Sequence, residues 1–295
     1  MSRHSVIDVG SNTIHLLVGE VDGGAVLPVT GEKVSARLGA GVEKTGRMAE
    51  ERLSLAADAI ALFAGISALN GVSEPVILAT SAVRDAENGL ELTERVRELT
   101  DLKMRLISGE EEAALGFRGA VSAVGTSLEG PVLVVDLGGG SAQLIVGEAS
   151  SGPLMQVSLP LGSNRTTERF VDNDPPKKKE LRALDAHVKE MVPGWSLSQR
   201  VSVVAVGGSA RAILKITRDS LTVERMRKLA LEICQIPSAV LAREHGLAPE
   251  RAQVMPAAIT TLAAILEHFD RERLTVARGG LREGTLITLA EGKEI

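Results

Sequence analysis

One stretch near the N-terminus is written twice. Val6-Ile7-Asp8-Val9-Gly10-Ser11-Asn12-Thr13-Ile14-His15-Leu16-Leu17-Val18-Gly19-Glu20 returns as Val134-Val135-Asp136-Leu137-Gly138-Gly139-Gly140-Ser141-Ala142-Gln143-Leu144-Ile145-Val146-Gly147-Glu148, at an offset of 128 (136 − 8). Asp8 meets Asp136, Gly10 meets Gly138, and Gly19-Glu20 meets Gly147-Glu148. Each copy reads as a buried strand, a turn of small residues and a second β-rich strand, because Val, Ile and Leu fill the strands while Gly, Ser and Asn make the reversal. A chain built this way has two related halves.

The turns also carry chemistry. Without bulky side chains their backbone N–H groups can face a ligand, and such a nest of amides binds anions. An Asp at the entrance repels an anion unless a cation lies between, which points to phosphate held with a divalent metal. The candidates are Gly10, Ser11 and Asn12 in the first loop and Gly138, Gly139, Gly140 and Ser141 in the second, with Asp8 and Asp136 at their entrances. One copy alone reads equally as a tight hairpin; a duplicate in register does not. Two halves, each offering a phosphate loop to a shared cleft, form the architecture of the actin, sugar-kinase and Hsp70 ATPase fold. The expected class is therefore α/β, with two actin-like (ASKHA, ribonuclease H-like) domains and an interdomain cleft.

Composition narrows the function classes. With 33 basic against 38 acidic residues and only 2% aromatics, nothing marks a nucleic-acid surface or a base-stacking platform. No apolar run of transmembrane length and no signal peptide are read, so the expectation is a cytoplasmic protein with no membrane partner. Cys234, among Leu231, Ile233 and Ile236, reads as a core residue, and the five histidines have no metal-ligand spacing.

Along the chain, a third strand is expected near Val26–Val29 and a helix over Met48–Leu69, with Leu53, Ala56, Ile60, Phe63 and Ala64 on its apolar face. The strand Pro75–Ala79 runs into Thr80-Ser81-Ala82-Val83-Arg84; helix capping by Thr80 or Ser81 is the favoured reading, with Arg84 suited to phosphate oxygens. Met104–Ile107 leads into Ser108-Gly109-Glu110-Glu111-Glu112, where acidic residues complement a helix dipole or supply a general base. Thr126–Pro131 is the expected link, giving domains 1–126 and 127–280, with a final helix over 281–295 returning to the first. In the second half, Lys177-Lys178-Lys179 reads as a solvated surface or the continuation of a basic track. Gly207-Gly208-Ser209-Ala210-Arg211, after a buried strand, reads as an anion site at a helix start, with Gly208 and Ser209 as binding residues. A long buried helix is expected over Val254–Phe269.

Taken in order, these motifs resemble the exopolyphosphatase and guanosine pentaphosphate phosphatase (Ppx/GppA) family. The likeness includes Asp8-Val9-Gly10-Ser11-Asn12, Thr80-Ser81-Ala82-Val83-Arg84 with Asn88, Ser108-Gly109-Glu110-Glu111-Glu112-Ala113, Asp136-Leu137-Gly138-Gly139-Gly140-Ser141, Leu159-Pro160-Leu161-Gly162, Asp174-Pro175-Pro176, Gly207-Gly208-Ser209-Ala210-Arg211 and Arg282-Glu283-Gly284. The resemblance implies Mg²⁺-dependent release of terminal phosphate by water, with Mn²⁺ as the alternative metal. It implies Glu112 as general base with Glu111 as the second choice, Asp136 as the metal-side carboxylate assisted by Asp8, and Arg84 as a phosphate clamp. It also suggests a homodimer. Two departures stand out: Gln143 occupies a metal-side position where the family usually has Glu, and the chain resembles the short members without extra helical domains. The implied substrates are inorganic polyphosphate or guanosine pentaphosphate. A catalytically weak regulator that binds nucleotide or polyphosphate, and a sugar kinase, are the competing classes.

Overall fold

The computed structural model describes residues 2–125, 130–198, 200–218 and 221–295. Two compact units account for the chain, Met1–Gly125 with Gly279–Ile295, and Thr126–Arg278. The expected link at Thr126–Pro131 falls mostly on 126–129, outside the described residues.

The first unit opens with the hairpin β1 (Arg3–Val9) and β2 (Ile14–Asp22), whose register sets Asp8 opposite His15. β3 (Ala25–Val34) extends beyond the expected Val26–Val29. It is an exposed edge strand, so its outer half carries polar residues that hide the strand pattern. Then come α1 (Val42–Thr45), α2 (Glu50–Leu69), β4 (Val76–Ala79), α3 (Ser81–Asp85), α4 (Gly89–Thr100), β5 (Met104–Leu106) and α5 (Gly109–Val124). β4 runs parallel to β1 and β5 parallel to β4, which gives the order β3-β2-β1-β4-β5.

Alternation along β1 sends Ile7 and Val9 into a cluster with α2 and α4, and Val6 to the opposite face with Leu281 and Leu286. On α2, Leu53, Ala56, Ile60 and Phe63 are buried. Removing Phe63 would cost about 3–5 kcal/mol. Contrary to expectation, α2 is long and apolar enough to cross a membrane by length and composition, because Leu55, Leu62 and Leu69 stand on its outer face. Its inner face is nonetheless core, which explains how a globular helix meets that criterion.

The second unit repeats the plan with β6 (Val132–Leu137), β7 (Ala142–Glu148), β8 (Gly152–Leu159), α6 (Ser163–Phe170), α7 (Lys178–Met191), β9 (Ser202–Val206) and α8 (Gly207–Thr217). It continues through β10 (Leu221–Thr222), α9 (Val223–Ile233), α10 (Ser238–His245), α11 (Pro249–His268) and β11 (Arg273–Val276). Its sheet order is β8-β7-β6-β9-β11-β10, the first sheet with one strand added. Both sheets thus have the strand order of ribonuclease H-like, actin-like domains. The 128-residue offset survives in detail. The β-bulges fall between Val18 and Gly19 and between Val146 and Gly147 (146 − 18), and the helices α2 and α7 begin at Glu50 and Lys178 (178 − 50).

The chain then returns to the first unit as α12 (Leu281–Ala290), against α5. Here glycine is required: a Cβ on Gly284 would lie 1.8 Å from the Leu115 carbonyl, and one on Gly119 would lie 2.0 Å from that of Gly280.

Candidate active site

In the first unit the candidate residues gather at the carboxyl ends of β1, β4 and β5, where open α/β sheets bind ligands. The loop after β1 closes with Gly10 N–H donating to the Thr13 carbonyl at 3.3 Å. Ser11 is buried and its hydroxyl lies 2.9 Å from that of Ser81 at the start of α3. Thr80 makes no side-chain cap; its hydroxyl donates to the Val9 carbonyl at 3.3 Å instead. The expected capping is therefore wrong, because both hydroxyls reach across to the β1 end rather than to their own helix.

Arg84 and Glu112, far apart in sequence, are brought together. The Arg84 guanidinium donates to the Ile107 carbonyl at 2.9 Å and stands 3.7 Å from Glu112 Oε2. Asp85 flanks it at 3.7 Å. The Glu112 side chain is only 13% exposed. Its neighbour Glu111 has a different task. Ser108 and Glu111 form a capping box, with Ser108 N–H donating to Glu111 Oε2 at 2.8 Å and Glu111 N–H donating to Ser108 Oγ at 3.0 Å. Arg105 pairs with the same carboxylate. The Ser108 N–H, helped by Arg105 and opposed by partial burial, holds the Glu111 carboxyl below the usual range.

The second unit has the corresponding loop after β6, where Gly138 N–H donates to the Ser141 carbonyl at 3.0 Å. Helix α6 clasps it: Ser163 N–H donates to the Gly138 carbonyl and Asn164 N–H to the Gly139 carbonyl, both at 2.9 Å. A Cβ on Gly162 would lie 2.3 Å from backbone atoms of Gly140 and Ser141, so the loop rests directly on this residue. Asp136 pairs in register with Gln143. Gln143 is 1% exposed and its amide nitrogen donates to Ser141 Oγ at 2.7 Å. A Cβ on Gly207, whose φ is +91°, would lie 2.9 Å from Asp136 Oδ1, so only glycine admits the aspartate at this turn.

Sequence reasoning missed Arg251. Its guanidinium lies on Gly208 and donates to Ser209 Oγ at 3.1 Å. Burial, reinforced by the nearby Arg211 charge, lowers its pKa from the ordinary arginine value. Among the described residues no carboxylate pairs with it. A buried guanidinium with a second arginine charge near it therefore stands at the start of α8. Nothing local in Ala248-Pro249-Glu250-Arg251 announces this; only the tertiary fold brings α11 to the Gly-Gly-Ser turn. Lys177, Lys178 and Lys179 are all exposed.

Among the described residues no group of three or more His, Cys, Asp or Glu converges as a metal site. An all-protein cage is not what magnesium asks for: it keeps several waters and takes one or two carboxylates plus substrate phosphates. Asp136 at the head of the glycine loop fits that donor set.

A duplicated α/β fold with a small-residue loop after the first strand of each half, and an Arg–Glu pair beside one of them, is a scaffold suited to phosphate chemistry. The Ppx/GppA phosphatase family matches residues 17–292, and the chain belongs to that family. It is 30% identical to exopolyphosphatase 1 of Mycobacterium tuberculosis over 97% of this chain and 87% of that protein. Among solved structures, an exopolyphosphatase-like protein superposes with a TM-score of 0.89 at 27% identity, covering 99% of both chains. The Aquifex aeolicus Ppx/GppA protein gives 0.80 at 26% identity, covering 98% of both.

Proposed function

We propose that this protein is an exopolyphosphatase, a phosphoric anhydride hydrolase that removes the terminal phosphate of inorganic polyphosphate in the cytoplasm. The observation that carries the reading is Glu112, nearly buried, beside the Arg84 guanidinium and left out of the helix cap that Ser108 and Glu111 form. In the reaction, a water oxygen forms a bond to the terminal phosphorus while the bridging P–O bond breaks, and the shortened chain leaves with the bridging oxygen. Glu112 takes the water proton and passes it to solvent. Arg84 offers guanidinium N–H groups to the phosphoryl oxygens, and the amides of Gly10–Asn12 and Gly138–Ser141 hold phosphates of the chain. Arg251 and Arg211 balance further substrate charge at Gly208-Ser209. A magnesium ion, or manganese in its place, would take Asp136 as its carboxylate in the second unit, Asp8 being the equivalent carboxylate of the first, and would neutralise developing phosphoryl charge. Gln143 can offer that ion only an amide oxygen.

The assignment of Glu112 over Glu111 is physical. A general base works best with a pKa near the working pH, and Glu111 is shifted the opposite way. The test is phosphate release with Mg²⁺ from short polyphosphate, long polyphosphate and guanosine pentaphosphate. Glu112→Gln is expected to lower kcat about a hundredfold or more. Glu111→Gln should leave kcat within about threefold while costing about 1 kcal/mol of stability through the lost cap. Full activity in Glu112→Gln would sink the base assignment. Release from guanosine pentaphosphate alone would move the substrate to the nucleotide, and release from none of the three would favour a binding role.

A further inference from the structure

The first phosphate loop is not self-supporting. The Ser11 carbonyl accepts from Gly39 N–H at 2.8 Å and the Asn12 carbonyl from Arg37 N–H at 2.9 Å. In a trans peptide the carbonyl and the following N–H point in opposite directions. Fixing the Ser11 and Asn12 carbonyls toward the 37–39 segment therefore fixes the N–H groups of Asn12 and Thr13 away from it. The aim of the loop amides is decided by a second loop.

That second loop is held in turn by one side chain. Ala40 N–H donates to the Arg37 carbonyl at 3.0 Å, closing a tight turn in which Arg37 takes a φ of +52°. A side chain with a Cβ rarely adopts this conformation, and it persists only where the surroundings impose it. Arg52, in the first turn of α2, imposes it here: its Nη1 donates to both the Arg37 and the Ala40 carbonyls, each at 2.8 Å. Among the described residues Arg52 forms no ion pair, so its hydrogen bonds go to this loop and its charge is not cancelled by a carboxylate. A Cβ on Gly39 would lie 3.0 Å from that of Ser11, so the two loops are also in steric contact.

We propose that Arg52 is a positioning residue: by holding the 37–40 turn it sets the orientation of the Ser11 and Asn12 peptides and so the affinity of the first loop for phosphate. This inference rests on the exopolyphosphatase reading for its kinetic test, and it has a second readout that does not.

The test compares wild type with Arg52→Met, which keeps much of the aliphatic stem, and Arg52→Lys, whose ammonium can still reach two carbonyls. KM for polyphosphate should rise about tenfold in Arg52→Met, the effect of losing charge-assisted hydrogen bonds, with kcat changed less than about threefold. Arg52→Lys should recover most of the loss. Amide hydrogen exchange in 9–13 and 37–40 should accelerate in Arg52→Met while exchange in β4 and β5 stays unchanged. An unchanged KM, or a uniform rise in exchange across the first unit, would overturn the proposal and leave Arg52 a packing residue. If wild type releases no phosphate, the functional reading fails instead, and the local exchange pattern alone decides whether Arg52 sets the loop.

Discussion

The two units support their candidate phosphate loops by the same backbone device and by opposite chemistry. In the second unit the loop carbonyls are met by the first amides of α6, and Gly162 lets the backbones touch. In the first unit they are met by amides of the 37–40 turn, which Arg52 holds through two carbonyls. The residue equivalent to Arg52 at the 128-residue offset is Glu180 (180 − 52), in the first turn of α7. It too grips the segment before its helix, but it accepts: from Lys177 N–H at 2.7 Å, from Asp172 N–H at 3.4 Å and from the Asn173 amide. A carboxylate gathers N–H groups and a guanidinium gathers carbonyls. The fold thus fixes where a helix must hold its preceding loop, and leaves open which charge does so.

A second comparison separates scaffold from chemistry. Strand β11 stands to β9 as β5 stands to β4, with Ala205 beside Val276 and Ile77 beside Met104. The helices that follow, α5 and α12, begin alike: Glu111 accepts from Ser108 N–H and Glu283 from Gly280 N–H, both at 2.8 Å. One position further on, Glu112 is matched by Gly284. The capping glutamate is present in both copies, so it serves the helix. The next carboxylate is present in one, and in the other a Cβ would collide with α5. This contrast is an argument, independent of the family, for treating Glu112 as the chemical residue.

If glycine contact supports one loop and an arginine-held turn the other, alanine should hurt them unequally. Gly162→Ala forces a Cβ within 2.3–2.4 Å of loop backbone, and no side-chain adjustment relieves it. We expect a loss of about 3 kcal/mol or more, or expression as insoluble protein. Gly39→Ala meets Ser11 Cβ at 3.0 Å, and that neighbour needs to give by only a few tenths of an ångström. We expect about 1 kcal/mol and a raised KM. Equal melting temperatures for the two variants would break the comparison.

Gln143 and His15 occupy equivalent places opposite Asp136 and Asp8. Gln143→Glu would set two carboxylates opposite each other in a buried hairpin. Without metal, like charges in this position destabilise, and melting should fall by several degrees. With magnesium the order should reverse, since a second carboxylate strengthens a site that has one. A thermal-shift titration reads both limbs without any substrate. No magnesium-dependent difference between wild type and variant would place the metal away from this pair.

Strand–turn–strand repeats were legible because period-two burial and small turn residues are local signals. The edge strand β3 was legible only in part, since exposure removes the apolar alternation. The Thr80 hydroxyl was misread because its choice between its own helix and the neighbouring strand end depends on tertiary distance. Arg251 and Arg52 were invisible for the same reason: each is an ordinary charged residue in the first turn of a helix, and only packing shows what it holds. α2 illustrates the converse, a composition that suits a membrane on a helix whose inner face fills the core.

The smallest expected effect concerns the helical layer of the second unit, where the first has no comparable network joining three helices among the described residues. Arg227 of α9 binds Glu267 of α11 through two parallel hydrogen bonds at 2.7 and 2.8 Å, and also pairs with Asp185 of α7. Lys189 reaches Glu267 at 2.7 Å. The Arg227 hydrogen bonds, with Lys189 adding to them against partial burial, lower the Glu267 pKa from 4.5 to about 2. A carboxylate depressed in the folded state stabilises above its unfolded pKa and loses that contribution as pH falls toward its folded one. The window is therefore from about pH 4.5 down to about pH 2. Because the group is partly solvated, the contribution at neutral pH is set on the order of 1 kcal/mol. Glu267→Gln should lower the melting temperature by a few degrees at pH 7 and by progressively less below pH 4.5, where wild type loses the same interaction. A constant difference across that range would mean the network adds packing rather than charge, and the helical layer of the second unit would then resemble that of the first.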